Sequence, residues 1–295
     1  MIKHRRYKAL IDFPKVLQFL TMTYDITHLN SALLPQYFEY GHTHRLFNHA
    51  LTHHIGLWED NNLIVGIACY GMYPGGYPGQ CHLHTMNHYE YLLPEMLHWA
   101  QQELFEVKNN TKTLACWVVD TEVNKKELFQ KNGYTFYERK PIKVYDYTKT
   151  FSDTTLPGGF RFIDGTCVDY EKLNTCFWLG FEGIPDPDNQ YDCRLHMWNA
   201  PNIRLELNTI IVAPDGEYAA ALGMWFDKHN KYAYLEPLCS IPKYKGMGLG
   251  KMALFEAMKK TKRLGAAYCF GASSEFYTAI GFDTIAHREL WIKSF

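Results

Sequence analysis

The sequence lacks the marks of several protein classes. Its 30 Lys and Arg stand against 31 Asp and Glu, a formal net charge of −1. No broad pull toward nucleic acid or an anionic membrane follows from that balance. No apolar run reaches the ~20 residues that cross a bilayer. The basic start, Met1-Ile-Lys-His-Arg-Arg, is followed by no signal-peptide core. The eight cysteines show neither a Cys-x-x-Cys pair nor regular spacing. Without an export signal they read as buried thiols in a reducing cytoplasm, the location expected here. What is present is 47% hydrophobic and 16% aromatic residues over 295 positions. That is a folded chain with length for two ordinary domains.

The most informative stretch is Cys239-Ser-Ile-Pro-Lys-Tyr-Lys-Gly-Met-Gly-Leu-Gly-Lys-Met-Ala-Leu254. An apolar run, Tyr234 to Ile241, stops at Pro242. Gly246, Gly248 and Gly250 follow at alternate positions, and a helical segment then runs to about Arg263. Glycine lets backbone N–H groups approach a ligand closely. A new helix adds unpaired N–H groups and a positive dipole end, so the place suits phosphate. A P-loop is excluded, because Gly246 to Gly250 is one residue short and Met252 replaces the Mg²⁺-binding hydroxyl. The dinucleotide fingerprint fails as well, with Lys251 at its last glycine position.

The stretch resembles the acyl-CoA loop of the GNAT superfamily of N-acetyltransferases, Arg/Gln-x-x-Gly-x-Gly/Ala. Lys245, Gly248 and Gly250 take its positions, lysine replacing Arg/Gln. Downstream, after a short strand Gly265 to Phe270, Glu275-Phe-Tyr-Thr-Ala-Ile-Gly-Phe282 resembles the family's Phe-Tyr-x-x-x-Gly-Phe signature. The resemblance implies acetyl-CoA as co-substrate. The residues it places there are Leu238, Cys239, Ser240, Lys245, Gly246, Met247, Gly248, Leu249, Gly250 and Lys251.

The rest of the chain reads as two copies of one order. In the first half a helix is expected over 12–22, with Asp12 as cap and Pro14 in its first turn. Gln36 to Phe47 is aromatic-rich and unassigned. Strands His54–Glu59 and Leu63–Tyr70 flank a turn at Asp60-Asn-Asn62. A Pro/Gly loop at 73–79, a strand Cys81–Met86, a helix Tyr91–Phe105, a strand Thr113–Val119, a helix Lys125–Lys131 and a strand Lys143–Tyr147 follow. The second half gives a helix Tyr170–Leu179 and strands Ile203–Val212, Tyr218–Phe226 and Tyr232–Ser240. The glycine loop, helix, strand, helix and strand complete it. Phe129-Gln-Lys-Asn-Gly-Tyr134 matches Tyr277-Thr-Ala-Ile-Gly-Phe282. The expected fold class is therefore α/β (α+β), two tandem GNAT-like domains at 1–150 and 151–295. Each would be a mixed, mostly antiparallel sheet flanked by helices, and Thr148 to Gly159 is the expected linker. The first copy has Asn87-His-Tyr-Glu-Tyr-Leu-Leu-Pro-Glu95 where the glycine loop should be. Its side chains and its Glu90 and Glu95 would repel a pyrophosphate, so this copy is expected to be degenerate.

Acetyl transfer to an amine needs a base for the amine, a polarised carbonyl and an acid for the leaving thiolate. The resemblance assigns the acid to Tyr277, whose phenol, with an ordinary pKa near ~10, is protonated at neutral pH. Backbone N–H groups of Leu238 to Ser240 would hold the carbonyl. Glu236, in an apolar strand and followed by Pro237, is the candidate base, acting through water. The same carboxylate could instead anchor a substrate ammonium, pair with a cation or lie on the solvent face. Glu182, Asp186 and Asp188, in the loop after the helix, could receive a cationic amine or simply be solvated. Trp178, Tyr191, Trp198 and Trp225 could line a pocket or fill the core. Cys81, His82 and His84 share a strand, with His42 and His44 as further donors, yet the spacing fits no finger pattern and no metal is expected.

The expectation is an N-acetyltransferase acting on a small amine of undetermined identity, with no nucleic-acid or membrane partner and a homodimer left open. Two alternatives stand beside it. One is another acyl-CoA-dependent transfer on the tandem architecture, as in mycothiol synthase. The other is a non-catalytic CoA-binding sensor or scaffold.

Overall fold

Asn61 and Asn62 both take positive φ, 48° and 67°. That is the backbone of a two-residue hairpin turn whose twist matches its strands. In the second half, Gly216 at φ 86° closes the corresponding turn. The computed structural model describes residues 1–295 apart from 28, 30–32, 72–76 and 189–190. The expected Pro/Gly loop at 73–79 therefore lies in part outside the described residues.

The chain forms two compact units, Met1–Ile142 with Ile285–Phe295, and Lys143–Thr284. The first contains β1 Lys3–Arg6, α1 Ala9–Met22, α2 Pro35–Thr43, β2 Gly56–Asp60, β3 Leu63–Gly71 and β4 Tyr77–Thr85. It continues with α3 Leu93–Glu103, β5 Glu106–Lys108, β6 Thr111–Val119, α4 Val123–Lys131 and most of β7 Thr135–Asp146. The second contains β8 Arg161–Asp164, α5 Tyr170–Phe181, α6 Asp192–Met197, β9 Thr209–Val212, β10 Tyr218–Asp227 and β11 Tyr232–Ser240. Then come α7 Leu249–Arg263, β12 Tyr268–Gly271, α8 Glu275–Ala279 and the start of β13 Asp283–Ser294.

Each unit is a mostly antiparallel sheet with one parallel pair. In the first the order is β1-β2-β3-β4-β6-β13, with β4 and β6 parallel. In the second it is β7-β12-β11-β10-β9-β8, with β11 and β12 parallel. The end of β13 completes the first unit by pairing antiparallel with β6, Trp291 opposite Cys116. Residues 143–146 of β7 serve the second, pairing antiparallel with β12. The units thus differ from a cut at 150/151, because strand pairing rather than chain order assigns these two segments.

Helices cover the sheets through apolar stripes. In the first unit Val16 and Leu20 of α1, Phe38 of α2, Met96 and Leu97 of α3 and Phe129 of α4 join one buried cluster with Ile67, Leu83 and Val118. In the second, α7 buries Leu249, Ala253, Leu254, Ala257, Met258 and Thr261, the spacing of one helix face. It packs with α5 on β10 and β11.

Two boundaries depart from expectation. Helix α1 begins at Ala9 rather than Asp12. Asp12 accepts the Lys8 amide at 2.7 Å from inside the helix, and Arg5 holds both its oxygens at 2.6 and 2.9 Å. The strand expected from Ile203 begins only at Thr209, after a 3₁₀ turn at Leu205–Leu207. The fully buried Asn208 side chain accepts the Met224 amide at 2.9 Å and holds that turn off the ladder.

The buried His42 yields a pH prediction. Its Nδ1 contacts the Phe38 carbonyl at 2.9 Å. Burial pushes its pKa down to about 4, partly opposed by that carbonyl. The unfolded chain protonates near its ordinary value of ~6.5. The neutral ring therefore supports folding fully above that pH, and the contribution is lost as pH falls through about 4. Urea unfolding from pH 7 to 4 should show a loss of about 3 kcal/mol attributable to this residue. His42→Gln should lack that part of the acid slope.

Candidate functional site

β11 leads through Ile241 and one 3₁₀ turn, Pro242–Tyr244, into the glycine loop. Gly246 and Gly248 sit at φ 84° and 76°, left-handed backbone suited to glycine. Gly248 is the N-cap of α7, and no side chain caps that end. The first amides of a helix have no intrahelical acceptor. They border a cavity of about 510 Å³ lined by Leu238, Cys239, Ser240, Lys245, Gly246, Gly248, Leu249, Gly250, Lys251 and Tyr277. Met247 is not among its lining residues and is exposed. A Cβ on Gly250 would stand 3.1 Å from Ser240 Oγ, so this glycine keeps the loop and strand end close.

The loop lysines divide by their partners. Lys243 Nζ lies 2.7 Å from both Asp215 and Glu217 carboxylates. Lys243, then Tyr244, holds the Asp215 carboxyl well below the usual carboxylate range. Lys245 and Lys251 border the cavity instead.

The strand geometry explains why a cavity exists. Registered pairing of β11 with β12 covers Tyr232–Tyr234 and stops there, while β11 runs on to Ser240 beside β10. On the β10 side the register jumps: Leu222 faces Leu238, but Met224 faces Leu235. Glu236 and Pro237 thus bulge opposite Gly223. A Cβ on Gly223 would fall on the Glu236 carbonyl oxygen. Trp225 Nε1 donates to that same oxygen at 3.4 Å.

Tyr277 is 6% exposed and sits on α8. Its ring makes edge contacts with Phe276 and Phe282 at 5.1 and 5.2 Å. Burial, then the Glu236 charge, pushes its phenol above the ordinary range, against a backbone hydrogen bond from Ala272. It therefore carries its proton at neutral pH. Glu236 is half-buried in the bulge and is not among the residues lining the cavity; its charge adds to the upward push on the Tyr277 phenol.

The other candidates lie elsewhere. Trp225 is 1% exposed, a core residue that ties down the bulge. Glu182 is exposed at the C-terminal end of α5. Asp186 accepts from Asn174 Nδ2 at 2.7 Å and from the Asp188 amide at 3.1 Å, a loop-ordering arrangement. Trp198 is buried and Tyr191 exposed. None of these lines the cavity. His82 and His84 are buried, with His84 Nε2 2.6 Å from Thr23 Oγ1. Among the described residues no group of three or more His, Cys, Asp or Glu side chains could hold a metal ion. Among the described residues no helix is long and apolar enough to cross a membrane. Sequence reasoning passed over Gly223, although a glycine inside an apolar strand marks a bulge or close backbone approach.

The first unit handles the same place differently. Registered pairing of β4 with β6 ends at His82↔Trp117. Beyond it, Lys125 Nζ donates to the Leu83 carbonyl at 2.8 Å and pairs with Glu122 at 2.5 Å. Glu122 accepts the Val119 amide at 2.8 Å. A buried Lys–Glu bridge thus spans the two strands. Phe129, matching Tyr277 in the internal repeat, is buried and has no hydroxyl.

The sequence model of the acetyltransferase (GNAT) family matches residues 170–282. No curated protein sequence matches the chain. Among solved structures, a tandem GNAT protein from the clavulanic acid biosynthesis pathway is similar over 100% of this chain and 98% of its own, at 12% identity and TM-score 0.65. A GNAT-family acetyltransferase from Colwellia psychrerythraea is similar over 98% of both chains, at 16% identity and TM-score 0.58. A GCN5-related N-acetyltransferase from Sphaerobacter thermophilus covers 99% of this chain and 95% of its own, at 12% identity and TM-score 0.57. These likenesses establish the fold of the whole chain as a tandem of GNAT-like units.

The bulge can be tested by crowding it. Gly223→Ala should lower the unfolding free energy by about 2 kcal/mol, as overpacking does. A urea midpoint equal to that of the parent protein would show that the bulge does not depend on this glycine.

Proposed function

We propose, from the premise that residues 170–282 form an acyltransferase domain of the GNAT family, that this chain transfers acetyl from acetyl-CoA to a small amine. The observation that carries the reading is the convergence of the glycine loop, the uncapped start of α7, the end of β11 and Tyr277 on one cavity. Its residues fit the co-substrate. Positive-φ glycines open the loop, amides at a helix start suit a pyrophosphate, and Lys245 and Lys251 add charge. Acetyl-CoA would supply the activated thioester.

The chain's own groups would do the rest. Backbone N–H groups of Leu238 to Ser240 would hold and polarise the acyl oxygen. Glu236 would take the amine proton through water, or hold the ammonium before that step. Tyr277, kept protonated by burial, would give its proton to the departing sulfur. The acetyl group passes directly to nitrogen, and no covalent enzyme intermediate is needed. We assign the small, cationic character of the acceptor to the Glu236 carboxylate, which stands two residues before the cavity-lining Leu238 on β11 and whose charge acts on the Tyr277 phenol. The functional domain in this reading is Lys143–Thr284. The first unit would bind no acetyl-CoA, since Lys125 and Glu122 occupy the corresponding gap between its strands.

Calorimetric titration with acetyl-CoA should give one site per chain, and Gly248→Glu should abolish it by filling the loop with an opposing charge. Two sites would overturn the reading of the first unit, and none would overturn the transferase. Tyr277→Phe should leave acetyl-CoA affinity within about threefold while lowering turnover by about 10²-fold. Unchanged turnover in that variant would favour a CoA-binding sensor or another acid.

A further inference from the structure

Lys143 is an unusual residue to find where it is. It is 2% exposed, among the largest fully buried side chains of the chain. Lysine is almost never fully buried unless its charge is satisfied. Here Nζ donates to the Ser274 carbonyl at 2.8 Å and to Thr278 Oγ1 at 2.7 Å. Both partners belong to α8: Ser274 is its N-cap residue and Thr278 follows Tyr277 directly.

Helix α8 needs such help. It spans only Glu275–Ala279, and its N-cap makes no side-chain capping bond. A helix of little more than one turn has almost no stability of its own. The strand that carries Lys143, with the turn that follows it, also holds the far end of the segment. Tyr145 packs on Phe282 at 5.3 Å, and a Cβ on Gly281 would stand 3.2 Å from its ring. Lys149 Nζ donates to the Gly281 carbonyl at 2.7 Å and pairs with Asp283 at 2.6 Å. Lys143 itself faces Gly271 across the β7–β12 ladder. A Cβ on Gly271 would stand 2.8 Å from the Tyr277 ring. The Lys143 backbone and the Tyr277 ring therefore flank the same point of β12.

We propose that Lys143 is a positioning residue for acyl transfer, its buried ammonium pinning α8, and with it Tyr277, at the end of the cavity. This rests on the acetyltransferase reading above. Lys143 touches no reacting atom in that reading. It acts by fixing the proton donor on a helix too short to fix it alone. A misplacement of about 1 Å at such a donor can cost about 10²-fold in rate.

The test uses the full chain with acetyl-CoA bound and the variant Lys143→Met, which keeps the stem and removes the charge. Amide hydrogen exchange of the peptide covering 274–282 should rise at least about tenfold, with α7 peptides unchanged. Acetyl-CoA affinity by calorimetry should stay within about threefold, while CoA-thiol release from acetyl-CoA, with water as the acceptor and the acetyl group leaving as acetate, falls by about 10- to 100-fold. In Tyr277→Phe the added Lys143→Met should cost little more, because both changes remove one function. Unchanged exchange at 274–282, a rise throughout residues 143–284, or fully additive rate losses would each overturn the proposal. Thr278→Val removes one partner without touching the buried stem. It should show the same selective exchange, more weakly, and decides the matter if Lys143→Met does not fold. Full turnover in Tyr277→Phe alone would overturn the acid assignment instead, while the exchange result still judges the clamp.

Discussion

β11 keeps its neighbour β10 along its length, but its registered pairing with β12 stops at Tyr234↔Phe270. A strand end released from one neighbour presents backbone donors and acceptors that need other partners. The features around the cavity follow from that interruption. The bulge at Glu236 and Pro237 is accommodated by the missing side chain of Gly223, and its carbonyl is bonded by Trp225. The strand then ends beside a loop whose glycines accept left-handed backbone, and beside the uncapped start of α7. In the proposed reaction these backbone groups serve the acyl-CoA, so the interruption and the chemistry are one feature.

The first unit shows what the same interruption does when it is closed from within. β4 and β6 also part after a short parallel stretch, and Lys125 with Glu122 joins them. Breaking such a buried pair would be costly, because it leaves a charge uncompensated. The arrangement ties β4 to the first turn of α4. The Asn87 to Glu95 segment has no glycine, and Trp58 Nε1 donates to Glu95 at 2.8 Å.

Buried lysines thus recur with different partners. Lys125 bonds a strand carbonyl and a carboxylate, whereas Lys143 bonds a carbonyl and a hydroxyl at the ends of α8. In neither case did hydropathy mark the residue as interior. A Lys in a helix or strand of ordinary polarity reads as surface until the segment that supplies its acceptors is placed beside it.

The sequence by itself determined the local parts. The glycine loop, the helix that follows it, the Phe276-Tyr277 signature and the hairpin at Asn61-Asn62 rest on backbone sterics and side-chain periodicity, which act between near neighbours. The degenerate character expected of the first copy came from the same source, since Asn87 to Glu95 has no glycine. Tertiary structure alone decided that residues 285–295 complete the first sheet and 143–146 the second. It alone took Trp225 into the core and left Glu182 and Asp186 off the cavity. Strand pairing and burial depend on which edge and which acceptor lie nearby in space, often more than a hundred residues away, as with Lys143 and Ser274. Local pattern carries no record of that choice.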